Sequence, residues 1–91
     1  MNKKVEAEMK ELALFVPIVA KVHGAHHPEF YQVRENFHQL ETSLETNDTK
    51  QIPIIFENIR QITDNYTVPD DVCESYARVY ELLEQLDKEL N

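Results

Sequence analysis

Residues 22–45, VHGAHHPEFYQVRENFHQLETSLE, decide the fold, because they contain the end of one helix, a turn and a complete second helix. Gly24 is typical of a helix end that closes with a left-handed residue, and Pro28 is typical of a helix start. Apolar residues then recur at intervals of three and four: Phe30, Val33, Phe37, Leu40 and Leu44. This spacing predicts a helix over about residues 28–45 with one buried face.

Three further segments carry the same spacing of apolar residues. The first predicts a helix over about residues 3–22, in which Pro17 should produce a kink. The third runs from Ile52 to Tyr66, and the fourth is expected to open at Pro69 and to run to Leu90. Four helices joined by short connections predict an all-α protein, an antiparallel four-helix bundle. One domain over residues 1–91 is expected.

The charge of the chain restricts its partners and its location. Nine basic and seventeen acidic residues give a net charge of −8, which repels phosphate backbones and anionic lipid surfaces. We therefore expect no nucleic acid and no membrane as partner.

Three glutamates separate the initial lysines from the apolar run LALFVPIVA, which argues against a secretory signal, and this run is too short to span a bilayer. With one cysteine in the chain, a cytoplasmic location is expected.

The first predicted helix carries a second apolar face in addition to its buried stripe. Leu14, Phe15, Ile18 and Val22 make its middle apolar nearly all round. Such a segment lies at the centre of a bundle or is covered by another subunit. We therefore expect a homodimer or a protein partner that binds through this helix.

The histidines of the turn are the strongest candidates for a metal site. His23, His26 and His27 lie within five residues, whereas His38 lies about three helical turns further, roughly 16 Å from His27 by helix rise. Zinc sites use four tetrahedral ligands, and no fourth ligand is evident near the turn. We expect no metal site. The sequence still leaves open a small metal-binding protein that uses the three histidines of the turn.

The sequence contains no recognisable motif of catalytic residues. It contains no glycine-rich phosphate loop and no nucleophile elbow, and Cys73 has no histidine near it in sequence. Cys73 is therefore expected to be a small buried hydrophobic residue. We expect no enzyme, no catalytic residue and no cofactor.

Two stretches with irregular loops carry a family resemblance. KVHGAHHPEFYQVRENFHQLETSL, residues 21–44, resembles a Val-His-Gly-x-x-His-Pro-Glu segment of the hemerythrin-like di-iron iron-sulfur cluster repair (Ric) family. ITDNYTVPDDVCESYARVYELLEQLDKEL, residues 62–90, is similar to that family's Asn-Tyr-Thr-x-Pro-x-x-x-Cys loop and last helix. The two stretches occur in the family's order.

The resemblance implies a bundle whose core holds two irons between His and Glu side chains, and which repairs iron-sulfur clusters damaged by oxidative or nitrosative stress. The positions that correspond to the family's ligands carry other residues. Asn47 and Gln51 stand where one His-x-x-x-Glu pair is expected, and the first ligand position falls near Asn2. The segment TKQIPIIF is shorter than its counterpart, and the closing pair would lie beyond Asn91.

The resemblance thus implies a truncated hemerythrin-like bundle that is similar to the stress-response repair proteins. We expect it to have no functional di-iron site and to act through self-association or protein interaction. One alternative is a genuine di-iron repair protein, of which this chain is an incomplete form. A second alternative is the small metal-binding protein that uses the histidines of the turn.

Overall fold

Four helices make up the structure, a computed structural model that describes residues 2–91. They are α1 (Lys3–His23), α2 (Glu29–Glu45), α3 (Ile52–Ile62) and α4 (Glu74–Leu90), and residues 2–91 contain no strand. α1 packs against α2 and α4, and α2 also packs against α3. The prediction of an all-α four-helix bundle is confirmed.

The apolar stripes of the four helices form one shared core. Leu12, Phe37, Ile59 and Leu83 are examples from α1 to α4 of side chains with no more than 1% exposure. Two ion pairs show that α1 and α4 run in opposite directions. Lys4 Nζ lies 2.8 Å from Glu89 Oε1 near the start of α1, and Arg78 Nε lies 2.7 Å from Glu11 Oε2 further along the helix.

α1 begins and continues much as the sequence predicts. The side chain of Asn2 accepts a hydrogen bond from the backbone N–H of Val5 at 2.8 Å, which satisfies one of the free donors of the first turn. The helix then runs without a break through Pro17 to His23. Pro17 is exposed, and the kink expected there stays a prediction.

Asp87 joins α3 to α4 through a buried carboxylate. Both of its oxygens accept hydrogen bonds from Arg60 Nη1 of α3, at 2.8 and 2.7 Å. Tyr66 Oη and Asn91 Nδ2 each donate one more at 2.7 Å. Burial acts to raise the pKa of Asp87, but the hydrogen bonds from Tyr66, Arg60 and Asn91 outweigh it and hold the pKa below its usual range.

The end of α3 differs from the prediction, since the helix stops at Ile62 and does not reach Tyr66. Asp64, Asn65 and Tyr66 all have positive φ angles of 51–64°, which take the backbone out of the right-handed helix. The hydroxyl of Thr63 donates to the carbonyl of Ile59 at 2.8 Å and accepts from the N–H of Tyr66 at 2.9 Å. Tyr66 is thus spaced as if it belonged to the apolar stripe of α3, but it lies in the turn after that helix. From this turn its hydroxyl contacts Asp87.

The start of α4 also differs from the prediction. Pro69 lies in the connection after α3, and the helix begins at Glu74 with Cys73 as the extended residue before it, at φ −84° and ψ 173°. A proline favours a helix start only where the following residues are free to turn. Here contacts to the histidine turn, described below, hold residues 71–73 in a loop.

Gly24 ends α1 for a different reason from the one predicted. Its φ of −57° and ψ of −33° lie in the right-handed region, so no left-handed residue closes the helix. Gly24 is buried, and a Cβ placed on it would overlap the ring of Tyr31 and the carbonyl oxygen of Ala20. Arg34 in turn lies over the Tyr31 ring, 5.2 Å from its centroid. Close packing therefore requires the glycine.

Glu8 is a buried carboxylate that lacks hydrogen bonds. It is 6% exposed, and neither of its carboxylate oxygens has a hydrogen-bond partner. Burial, and then the neighbouring carboxylate of Glu89, raise the pKa of Glu8. The charged form of Glu8 therefore lowers the stability of the folded chain at neutral pH.

Replacing Glu8 by Gln is expected to stabilise the protein. At about pH 7 the free energy of unfolding should rise by about 1 kcal/mol, because the amide carries no charge and can donate to Glu89. Since a raised carboxyl pKa penalises the folded state only where the group is ionised, the gain should shrink below about pH 4.5. Urea unfolding of both proteins at several pH values measures this difference in the free energy of unfolding. Glu6→Gln, an exposed change in the same helix, is the control, and equal effects of the two changes would contradict the argument.

Candidate functional site

One end of the bundle brings together the two loop motifs of the sequence. α1 ends at His23, and the turn to α2 covers residues 24–28. Because α4 runs antiparallel to α1, its start and the loop before it lie beside this turn. Three side-chain contacts connect the two segments, and together they form the candidate site.

The first contact joins His23 to Cys73. His23 Nε2 lies 3.1 Å from Cys73 Sγ, within hydrogen-bonding distance, so that a neutral imidazole accepts from the thiol or an imidazolium donates to the thiolate. Cys73 is exposed. The prediction that Cys73 is a buried hydrophobic residue is therefore wrong, because the residue stands at the outer end of a helix and not on its buried face.

The second contact places His27 between two carboxylates. Its Nδ1 lies 3.0 Å from Glu29 Oε2, and its Nε2 lies 2.8 Å from Asp71 Oδ1. The hydrogen bond to Glu29 and then that to Asp71 raise the pKa of His27, against the effect of burial. The same pair lowers the pKa of Asp71. The charged imidazolium thus bridges the start of α2 and the loop before α4.

The third contact is a buried tyrosine beneath both histidines. The ring of Tyr76 meets the rings of His23 and His27 edge-on, with centroids 5.5 and 5.6 Å apart. Its hydroxyl lies 3.0 Å from that of Tyr80, and both rings are at most 2% exposed. Burial raises the pKa of both phenols, so they stay neutral and form the inner wall of the site.

The three histidines of the turn face three different surroundings. His23 contacts Cys73, His27 contacts two carboxylates, and His26 is exposed. His38 lies on α2, where Nδ1 is 2.9 Å from Glu41 Oε1 of the same helix. Within residues 2–91, no group of three or more His, Cys, Asp or Glu side chains is placed to hold a metal ion.

The residues that stand where the resemblance would place iron ligands do not fit a di-iron pair. Asn47 lies in the turn after α2 with a positive φ of 56°, and Gln51 is exposed. The side-chain oxygen of Asn2 is used to cap α1. Iron pairs in such bundles need imidazoles and bridging carboxylates that project into the core, whereas the core positions described here are mostly aliphatic and aromatic.

The second apolar face of α1 divides into two parts. Leu14, Ile18 and Val22 are exposed, at 61%, 48% and 61% of their surface, and form a stripe with one residue per turn. Phe15 packs against the core. Glu11, one turn before Leu14, is held by Arg78.

None of the helices within residues 2–91 combines the length and hydropathy that a membrane span requires.

Sequence reasoning missed the contacts of Cys73 and Tyr76 because each joins residues about fifty positions apart. A pattern along one helix contains no information on which loops meet. The only signal was that both stretches of family resemblance include an irregular loop. These two loops contact each other through His27 and Asp71.

The comparison with curated proteins agrees with that resemblance. The chain is similar to the iron-sulfur cluster repair protein ScdA of Staphylococcus haemolyticus, with 22% identity over 121 residues that cover 97% of this chain and 54% of the relative. ScdA of Staphylococcus epidermidis is 20% identical over the same shares. The chain thus spans about half the length of the curated relatives it matches. No protein-family model and no solved structure matches it.

The His27 bridge should make stability depend on pH. Because the pKa of His27 is raised in the folded state, its contribution is fully present below the unfolded value of about 6.5 and is lost as the pH rises through the folded value. His27→Gln should therefore destabilise the protein more at about pH 6 than at about pH 9.

Thermal unfolding at the two pH values measures the difference between the wild type and His27→Gln. His26→Gln serves as the control, because His26 is exposed in the same turn. A destabilisation by His27→Gln that is equal at both pH values would show that the bridge does not depend on the imidazolium.

Proposed function

We propose that this protein is a small helical bundle, related to the iron-sulfur cluster repair proteins, that acts without a di-iron site and without catalysis, through association of α1 with a second copy of the chain. The observation that carries the proposal is the exposed stripe of Leu14, Ile18 and Val22. A cytoplasmic location and a role in the stress response follow from the relationship and belong to the proposal.

The relationship rests on similarity to ScdA along nearly the whole chain. The aligned stretch of 121 residues is longer than the chain of 91, so the alignment places gaps in this chain. This supports a chain that is shorter than the aligned part of ScdA, and we propose that the shortening lies around residues 49–56. The donor atoms at Asn2, Asn47 and Gln51 are neutral amides, which supply neither the charge nor the basicity that a pair of irons requires.

The charge of the molecule favours the α1 stripe as the contact between two copies. Each copy carries a net charge of −8, so most pairs of surfaces repel each other. Lys10 and Lys21, both exposed, flank the stripe at one helical turn from Leu14 and Ile18. Glu11 is paired with Arg78, which offsets its charge. This face therefore combines apolar area with positive charge, which offsets part of the repulsion between two acidic copies.

Association through α1 predicts a mass that depends on concentration. Light scattering after size exclusion should give a mass that approaches twice that of the chain as the concentration rises. Ile18→Glu should give the mass of one chain, because it places a charge in the middle of the apolar contact. Ile54→Glu is the matched control, since Ile54 is similarly exposed, at 52%, but lies on α3. A wild type that stays monomeric, or an unchanged mass for Ile18→Glu, would disprove the association.

The absence of a di-iron site predicts little bound iron. After anaerobic incubation with ferrous iron and gel filtration, the chain should retain well below one iron per molecule and show no absorption from a bridged iron pair. ScdA treated in the same way is the comparison. Retention of two irons per chain would favour the alternative of a genuine di-iron repair protein, and retention that is lost in the triple replacement of His23, His26 and His27 by Ala would favour the histidine-turn metal site.

A further inference from the structure

The two sides of the α1 stripe carry opposite charges. On one side, α4 packs against α1 and leaves a groove of about 440 Å³, whose lining includes Phe15, Glu74 and Glu81. The other side carries Lys21, which is exposed to solvent, as Glu74 is. With about 100° per residue around the helix, Lys21 and Phe15 lie about 60° from Ile18 in opposite directions. The stripe is therefore bordered by one acidic and one basic side.

The charges of Glu74 and Lys21 are not offset within the chain. Arg78, which also lines the groove, lies 2.7 Å from Glu11 and 3.5 Å from Glu81. Within residues 2–91, neither Glu74 nor Lys21 belongs to an ion pair. Both charges are thus available to a second molecule.

Lys10 contributes less than Lys21 to the basic side. It lines a second groove, between α1 and α2, together with Glu41 and Glu45, so two carboxylates lie near its charge. Lys21 is therefore the cation that we consider below.

Glu74 and Lys21 lie at similar heights along α1. The start of α4 lies beside the end of α1, where Cys73 contacts His23, and the groove brings Glu74 near Phe15. A long side chain on a helix leans toward the N-terminus, so the ammonium of Lys21 extends back over the preceding turn. The two opposite charges thus border the same part of the stripe.

We propose that two copies of the chain pair in parallel through α1, with Lys21 of each copy bound to Glu74 of the other. This arrangement rests on the proposed association through α1. A two-fold axis parallel to the helices places the basic side of each copy against the acidic side of the other, so the same ion pair forms twice. In an antiparallel pair, the two basic sides would meet each other, as would the two acidic sides, and like charges would repel.

The groove also suits the whole side chain of a lysine. Phe15 at the groove packs against the core and offers apolar surface to the methylene groups, while Glu74 receives the ammonium. The occupant of the groove is therefore the Lys21 side chain of the second copy.

Single cysteines test the orientation of the two copies. In a Cys73→Ser background, Leu14→Cys and Val22→Cys should each form a disulfide with the same position of the second copy, because a parallel pair places equal positions side by side. An antiparallel pair centred on Ile18 separates the two copies of Leu14 by about 12 Å along the helix, too far for a disulfide, and places Leu14 against Val22. Ile18→Cys should react in both arrangements and is the control for association. Non-reducing electrophoresis after mild oxidation measures the disulfides.

Charge reversal tests the ion pair. Lys21→Glu and Glu74→Lys should each raise the dissociation constant of the dimer about tenfold, because each change affects two ion pairs, and the double variant should bind within about threefold of the wild type. Glu74→Lys lowers the net negative charge, so a general effect of charge would strengthen association instead. Lys50→Glu and Glu57→Lys, both exposed and away from α1, are the matched controls. Sedimentation equilibrium measures the dissociation constants.

The outcomes separate this inference from the proposed function. A dimer in which only a mixture of Leu14→Cys and Val22→Cys forms the disulfide would overturn the parallel arrangement but not the association through α1. A dissociation constant that Glu74→Lys leaves unchanged or lowers would overturn the ion pair. A wild type that stays monomeric would overturn both this inference and the proposed association.

Discussion

The buried carboxylate of Asp87 is the constraint on which the closure of the bundle depends. α1 packs closely against α2 and α4, and α2 against α3, but a polar link through Asp87 and Arg60 joins α3 to α4. A buried charge stabilises a fold only when hydrogen bonds occupy its acceptor positions. The same carboxylate binds Tyr66 and Asn91, so it also fixes the turn after α3 and the end of α4.

The parts of the fold that depend on local periodicity could be predicted from the sequence. The bounds of α1 and α2 and the apolar stripes of the core follow from spacing alone. The end of α3 and the start of α4 could not, because distant side chains decide them. Asp87 draws Tyr66 out of the helix, and contacts from His23 and His27 hold residues 71–73 in a loop ahead of Glu74. The candidate site could not be predicted from the sequence either, because its contacts join residues that are far apart in the chain.

The two loops that resemble the repair family do not serve only as connections between helices. His27 lies between Glu29 and Asp71, so the family-like turn after α1 and the family-like loop before α4 form one polar contact. This contact does not involve Asn2, Asn47 or Gln51, which stand where the resemblance would place iron ligands. The two loop motifs therefore have a role in the packing of the bundle that does not require a metal ion. Similarity at the loops is evidence for the architecture more than for the chemistry.

Gly24 shows how a requirement for glycine can arise away from its own backbone. Its dihedral angles suit any residue, and only the ring of Tyr31 and the carbonyl of Ala20 exclude a side chain. The restriction therefore comes from two neighbours at once, a side chain on α2 and the backbone of α1. A smaller residue at position 31 would remove only the first overlap, and a Cβ at position 24 would still overlap the carbonyl oxygen of Ala20. The turn is thus so compact that no side chain fits at its first residue.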